Sequence, residues 1–181
     1  QQGLSNHILL LMKKAIRDQH KSLKMVTFTY LFRLLEKFAA EKNNYAPIVY
    51  KILTFTLVEH HEDISVREHI LINFCDVLQK FSSIPLPVLL DPLVKLIQSS
   101  YNTTYTLNLP DFQFFDTIAS HLKLQTKQAV PLLDLLARIY LDQICFAYLA
   151  ASSFVKIASR FIDEEPVQEY LLEFGKLGLA K

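Results

Sequence analysis

The densest gathering of metal-capable side chains in this 181-residue sequence is Glu59-His60-His61-Glu62-Asp63, followed shortly by Glu68-His69. Imidazole and carboxylate are zinc ligands, but zinc needs three or four of them converging tetrahedrally. Adjacent histidines on a helix point in different directions, and the sequence contains no His-Glu-x-x-His and no paired Cys-x-x-Cys. The segment therefore reads as a solvated turn between helices, its histidines placed to favour a helix C-terminal dipole. Asp163-Glu164-Glu165 reads as an acidic turn, without the apolar pocket that paired carboxylates need for acid–base work. Serines and histidines are plentiful, yet there is no Gly-x-Ser-x-Gly elbow, and three glycines (Gly3, Gly175, Gly178) leave no phosphate-cradling loop. The expectation is a chain with no catalytic residues, no metal, no cofactor and no small-molecule substrate.

Charge is more informative. Residues 1–60 hold nine Lys or Arg against four Asp or Glu, a balance of +5, whereas residues 61–181 hold ten against fourteen, a balance of −4, within a net charge of +1. Lys13, Arg17, His20, Lys21 and Lys24 recur every three or four residues, so several share one outer helix face. Such a stripe is either an ordinary solvated helix back or a dock for an acidic protein surface or tail, such as those tubulin displays. RNA binding along the basic end is the alternative. The near-neutral chain and the absence of a repeated base-reading pattern weigh against nucleic acid.

A second candidate contact is the uncharged aromatic stretch Tyr101-Asn102-Thr103-Thr104-Tyr105 through Pro110, followed by Phe112, Phe114 and Phe115. Helix connections usually take two to eight residues, and longer ones tend to be functional. Either this loop folds back over its own apolar surface, or Tyr101, Tyr105 and Phe112 supply contact area to a partner at low entropic cost. Asn102-Thr103-Thr104 matches a glycosylation acceptor and reads as loop chemistry. Further contacts, Arg33, Lys37, Asn73 and Lys80, are expected to be exposed on second helices.

These side chains need elements to hold them. Hydrophobic residues make up 51% and charged residues 20% of the chain, with a mean hydropathy of +0.20, which excludes disorder. Few glycines exclude a turn-rich sheet protein and leave long helices. Charges interrupt every apolar run, so no membrane span is expected, and no signal peptide is seen. A cytoplasmic chain is the expectation, with a cytoskeletal or ciliary assembly suggested by the apolar excess and the two-signed charge. Cys75 and Cys145 both fall in apolar helical patterns and are expected to be buried free thiols.

Helices are expected over 6–19, 22–41, 47–59, 65–81, 85–99, 111–121, 126–141, 143–161 and 166–177. Ser5, Ser22 and Asp111 are their expected caps, Ser65-Val66-Arg67-Glu68 is read as a capping box, and Pro92 as a kink. First helices begin near Ser5, Tyr45, Pro85, Thr126 and Glu165, close to forty residues apart. In them Ile48, Ile52 and Phe55, then Leu89, Leu93 and Leu96, then Leu132, Leu136 and Ile139 keep a helical period and are expected to form apolar faces. Leu89-Leu90-Asp91-Pro92-Leu93-Val94-Lys95-Leu96-Ile97 also reappears as Leu132-Leu133-Asp134-Leu135-Leu136-Ala137-Arg138-Ile139-Tyr140.

This period, the proline-led starts Ala46-Pro47-Ile48-Val49 and Leu86-Pro87-Val88-Leu89, and the shared Leu-Leu-Asp-x-Leu resemble the HEAT and armadillo helical repeats. The resemblance covers the whole chain as one domain, 1–181, with units near 5–44, 45–84, 85–125, 126–164 and a partial 165–181. The short link near Asp142 departs from it. It implies an all-α solenoid of about four and a half antiparallel helix pairs, cut from a longer chain. It further implies a non-enzymatic scaffold or adaptor for protein–protein interaction, with a groove lined by second helices.

Overall fold

The computed structural model describes residues 7, 10, 14, 16, 17, 20–41, 45–81, 86–100 and 106–179; the side chains of 86–89, 99, 100 and 177–179 lie outside the description. Among the described residues eight helices are bounded: α1 Lys21–Ala40, α2 Ala46–Glu59, α3 Ile64–Lys80, α4 Leu86–Ser100, α5 Leu109–Ser120, α6 Thr126–Asp142, α7 Ala147–Arg160 and α8 Glu165–Leu179. A single 3₁₀ turn, Ile144–Phe146, joins α6 to α7, and no strand occurs among the described residues. His7, Leu10, Lys14 and Ile16 have helical backbone as well.

Several starts differ from expectation, and at α3 the reason is that a carboxylate outcompetes a hydroxyl as acceptor. Asp63, not Ser65, caps α3, its side chain accepting the Val66 N–H at 3.2 Å while Ser65 donates to the same Oδ1 at 2.9 Å. Ser22 lies inside α1, whose N-cap is His20. Asp111 is the third residue of α5 instead of its cap, and its Oδ2 reaches back to accept the Asn108 N–H at 2.8 Å, the return half of a capping box. Pro92 sits inside a continuous α4, and Pro131 inside α6. Buried Thr27, Thr54 and Thr56 satisfy their hydroxyls by donating to carbonyls four residues back, at 2.7, 2.9 and 2.8 Å.

The helices fall into two series of contacts. Helices α2, α4, α6 and α8 begin at residues 46, 86, 126 and 165, and each touches the next in that series. Helices α1, α3, α5 and α7 form a second series with the same property. Contacts of α1 with α2, α2 with α3, and α6 with α7 tie the two together. The repeated Leu-Leu-Asp segments keep register: Leu90 and Leu133, Leu93 and Leu136, Val94 and Ala137 are buried, while Lys95 and Arg138 are exposed. They diverge at the end, where Ile97 is buried and Tyr140 is half exposed.

Polar links recur between neighbours of the second series. Lys80 pairs with Glu36 at 2.7 Å, Lys21 with Asp63 at 3.3 Å, and Lys156 with Asp116. Asn108 donates to Glu68 at 2.9 Å. Exposed pairs of this kind contribute little each. The interior link is different. Arg67 of α3 and Asp111 of α5 are each 1% exposed, with Nε to Oδ1 at 3.5 Å. The same guanidinium donates to the His61 carbonyl at 2.5 Å and to the Thr106 carbonyl, so one side chain pins the end of α2, the start of α3 and the approach to α5.

Candidate partner-binding site

Arg17 is the member of the basic stripe that helps form a concavity. With Ile16, and with Ile48, Lys51, Phe55 and Glu59 of α2, it lines a groove of about 410 Å³. Ile48 and Phe55 are 44% and 57% exposed, which corrects the expectation that Ile48, Ile52 and Phe55 form one buried face. Only Ile52 is buried; the inward stripe of α2 is Val49, Tyr50, Leu53 and Leu57. Lys51 lies with Nζ 5.8 Å from the Phe55 ring centroid, within reach of the ring's negative face. Among the described residues the groove therefore combines an exposed aromatic, an exposed aliphatic and two cations, opposed by the carboxylate of Glu59.

The other expected contacts scatter. Lys21 is committed to Asp63 and Ser65, and Lys24 is half-buried. Arg33 is exposed, its guanidinium 5.8 Å from the Tyr30 ring centroid, and Lys37 is exposed in the last turn of α1. Asn73 donates to the His69 carbonyl at 2.7 Å and Lys80 is taken by Glu36. Lys13, Tyr101, Tyr105 and the Asn102-Thr103-Thr104 acceptor lie outside the described residues. Phe112 is withdrawn as a contact: it is 3% exposed and stacks on Phe146 with centroids 4.8 Å apart. Leu107, Phe114 and Phe115 are buried with it, so the described part of this segment covers its own core.

Two further grooves open between helices of the first series. One of about 250 Å³ between α4 and α6 is lined by Asp91, Lys95, Gln98, Lys127 and Gln128, and Gln98 spans it to the Pro131 carbonyl at 3.3 Å. Another, of about 590 Å³ between α6 and α8, is edged by Lys127, Glu169 and Glu173. There burial, reinforced by the Asp134 carboxylate, pushes the Tyr170 hydroxyl up to about 12. The sign of the lining thus turns from basic beside α2 to acidic beside α8. Reading second helices as the groove missed this, although one signal was present. Ile48, Val49, Tyr50, Ile52, Leu53, Phe55, Leu57 and Val58 are too many apolar side chains for one helix face.

The histidine turn also differs from expectation. Among the described residues no three His, Cys, Asp or Glu side chains gather as a metal-holding group. His61 places Nδ1 2.9 Å from the Val58 carbonyl, and His69 places Nε2 3.4 Å from the Thr29 hydroxyl. Burial, then the Lys24 charge, pushes His60 down from its ordinary value, and burial lowers His69 too. His60 and His69 thus take up a proton less readily than histidines favoured by a helix C-terminal dipole would. His121, at the end of α5, is lowered by burial and by the charges of Arg160 and Lys123. Arg160 donates to the Ala119, His121 and Leu122 carbonyls and so closes that helix end. Cys75 is buried as expected, but Cys145 is exposed in the 3₁₀ turn.

The three lowered histidines set a pH dependence. Below their ordinary value of 6.5 the unfolded chain binds protons that the folded chain still refuses, so stability is full above that value and falls on acidification through the folded values. Thermal midpoints should drop between pH 7 and pH 5, and His121→Gln should make the profile shallower. An unchanged midpoint across that window would remove the assignment.

Among the described residues no helix is long and apolar enough to cross a membrane. No family model matches the chain, and neither does any curated protein or any solved structure.

Proposed function

We propose that the chain is a HEAT- or armadillo-like helical solenoid acting as a non-enzymatic protein–protein interaction scaffold, and that its first-series face beside α2 receives an acidic partner segment. The observation that carries this is the groove of Arg17, Ile48, Lys51 and Phe55. Aromatic and aliphatic side chains at the centre with guanidinium and ammonium at the edge match the anatomy of a protein-binding patch. Contacts between every second helix, with starts near forty residues apart, support the repeat architecture. A stacked array presents such patches on a fixed surface and leaves chemistry to its partners.

The segment that fits presents an apolar side chain flanked by carboxylates, the composition of an acidic protein tail. A labelled peptide of alternating Glu and Phe, titrated against the full chain at low and high salt, tests it. Arg17→Glu with Lys51→Glu should weaken binding roughly tenfold or more, with the circular-dichroism spectrum unchanged because both side chains are exposed. Phe55→Ala should weaken it at both salt concentrations, since the apolar part of the contact is not screened. Equal affinity in all three proteins would refute the reading.

A further inference from the structure

Helices α3 and α5 are each sandwiched within the second series, whereas α1 and α7 each have one second-series neighbour among the described helices. Each therefore has a long side that no described helix of the second series covers, and the two sides are complementary. On α1 the exposed positions Leu23, Val26, Tyr30, Arg33 and Lys37 form a stripe, opposite the buried Phe28, Leu31, Phe32 and Leu35. An ordinary solvated helix back would not place Leu23, Val26 and Tyr30 in line at 44%, 53% and 53% exposure. At the other end, Ala137 and Tyr140 of α6, Ala151, Phe154 and Val155 of α7, and Phe174 of α8 line an apolar groove of about 260 Å³. Val155 is 59% exposed there. On the same helix as Phe174, Glu169 and Glu173 edge the neighbouring α6–α8 groove and are exposed one turn apart, as Arg33 and Lys37 are one turn apart on α1.

We propose that the occupant of this groove is the α1 helix of a second copy, so that the chain associates head to tail. Helix α3 already shows the arrangement in one chain: it packs on α1, its predecessor in the second series, and on α2, the first-series helix beside it. A second copy's α1 laid on α7 and α8 repeats that relation. Leu23, Val26 and Tyr30 would meet the apolar groove, and the cations Arg33 and Lys37 would meet the carboxylates Glu169 and Glu173. Continuity with an existing helix packing and agreement in sign both select this occupant. Because the two surfaces differ, the contact is heterologous and a dimer still carries a free head and a free tail, so growth does not stop there.

Sedimentation velocity of the full chain at rising concentration should show species heavier than a dimer. Tyr30→Asp at the head and Val155→Asp at the tail both alter exposed side chains, and each should weaken association roughly tenfold or more. Mixed one to one, the two variants should form dimers and nothing larger, since each retains one intact surface. A wild-type chain that stays monomeric would overturn the proposal. So would assembly that stops at a dimer, or assembly unaffected in either variant alone. Should either variant lose its helical spectrum, Val26→Lys and Tyr140→Lys repeat the test at the same two surfaces. None of these substitutions touches Arg17, Lys51 or Phe55, so the result is independent of acidic-segment binding.

Discussion

Arg67→Met should cost about 3–5 kcal/mol of folding stability, the range found when one partner of a buried ion pair is removed. The guanidinium and the Asp111 carboxylate are each 1% exposed. Methionine keeps most of the length and the apolar stem of Arg67 but leaves the carboxylate without its cation, and it withdraws the donors now serving the His61 and Thr106 carbonyls. In a chain of this size the thermal midpoint should fall by roughly 6 to 20 °C. Removing Lys21 instead, an exposed partner of Asp63, should cost about 1 kcal/mol or less. Coupling Arg67→Met with Asp111→Leu should recover much of the loss, because no buried charge is then stranded. Recovery should stop short of complete, since Asp111 also accepts the Asn108 N–H at the start of α5. If Arg67→Met behaved like the Lys21 variant, the pair would not be the pin between α3 and α5 that its burial implies.

Nothing local in the sequence marks Arg67 or Asp111 as partners, because forty-four residues separate them and the pairing exists only once α3 lies on α5. The helices themselves were legible. A 3.6-residue period and prolines near helix starts put first helices near Tyr45, Pro85, Thr126 and Glu165, and the structure begins them at 46, 86, 126 and 165. Caps were less legible: the hydroxyl of Ser65 and the carboxylate of Asp63 both satisfy the rule, and the stronger acceptor takes the amide. Periodicity also cannot say which apolar residues win the interior when a helix has more than one face can hold. Ile48 and Phe55 lost that competition to Val49, Tyr50, Leu53 and Leu57 and became the candidate site. Phe112, open in the sequence to a place over its own core or a place against a partner, packs on Phe115 and Phe146. Cys145 was expected in a helix and lies in the 3₁₀ turn that follows α6, where its thiol reaches the surface.

Phe74→Ala should cost about 3–5 kcal/mol as well, through a cavity and not a stranded charge. Phe74 of α3 is fully buried and meets Phe32 of α1 edge-on at 5.1 Å and Tyr50 of α2 edge-on at 5.6 Å. These three rings are where three helices come together, so the void opens at a junction with little freedom to collapse. Edge-to-face pairs add about 0.5–1.5 kcal/mol each beyond their buried area, which places the expected loss toward the upper part of the range. The neighbouring ring supplies a control of opposite sign. Burial pushes the Tyr50 hydroxyl up from its ordinary value, and its oxygen has no hydrogen-bond partner among the described residues. Tyr50→Phe keeps the ring, removes an unsatisfied polar atom, and should leave stability equal or raised. Denaturant midpoints of the two variants separate a cavity from a polar effect: Phe74→Ala should move far downward and Tyr50→Phe level or upward. A marked loss in Tyr50→Phe would mean that the hydroxyl is satisfied in solution, by a water bridging it to α1 or α3. The three-ring junction would then be a polar contact, and the cost of Phe74→Ala would have to be divided between a cavity and a broken hydrogen-bond network.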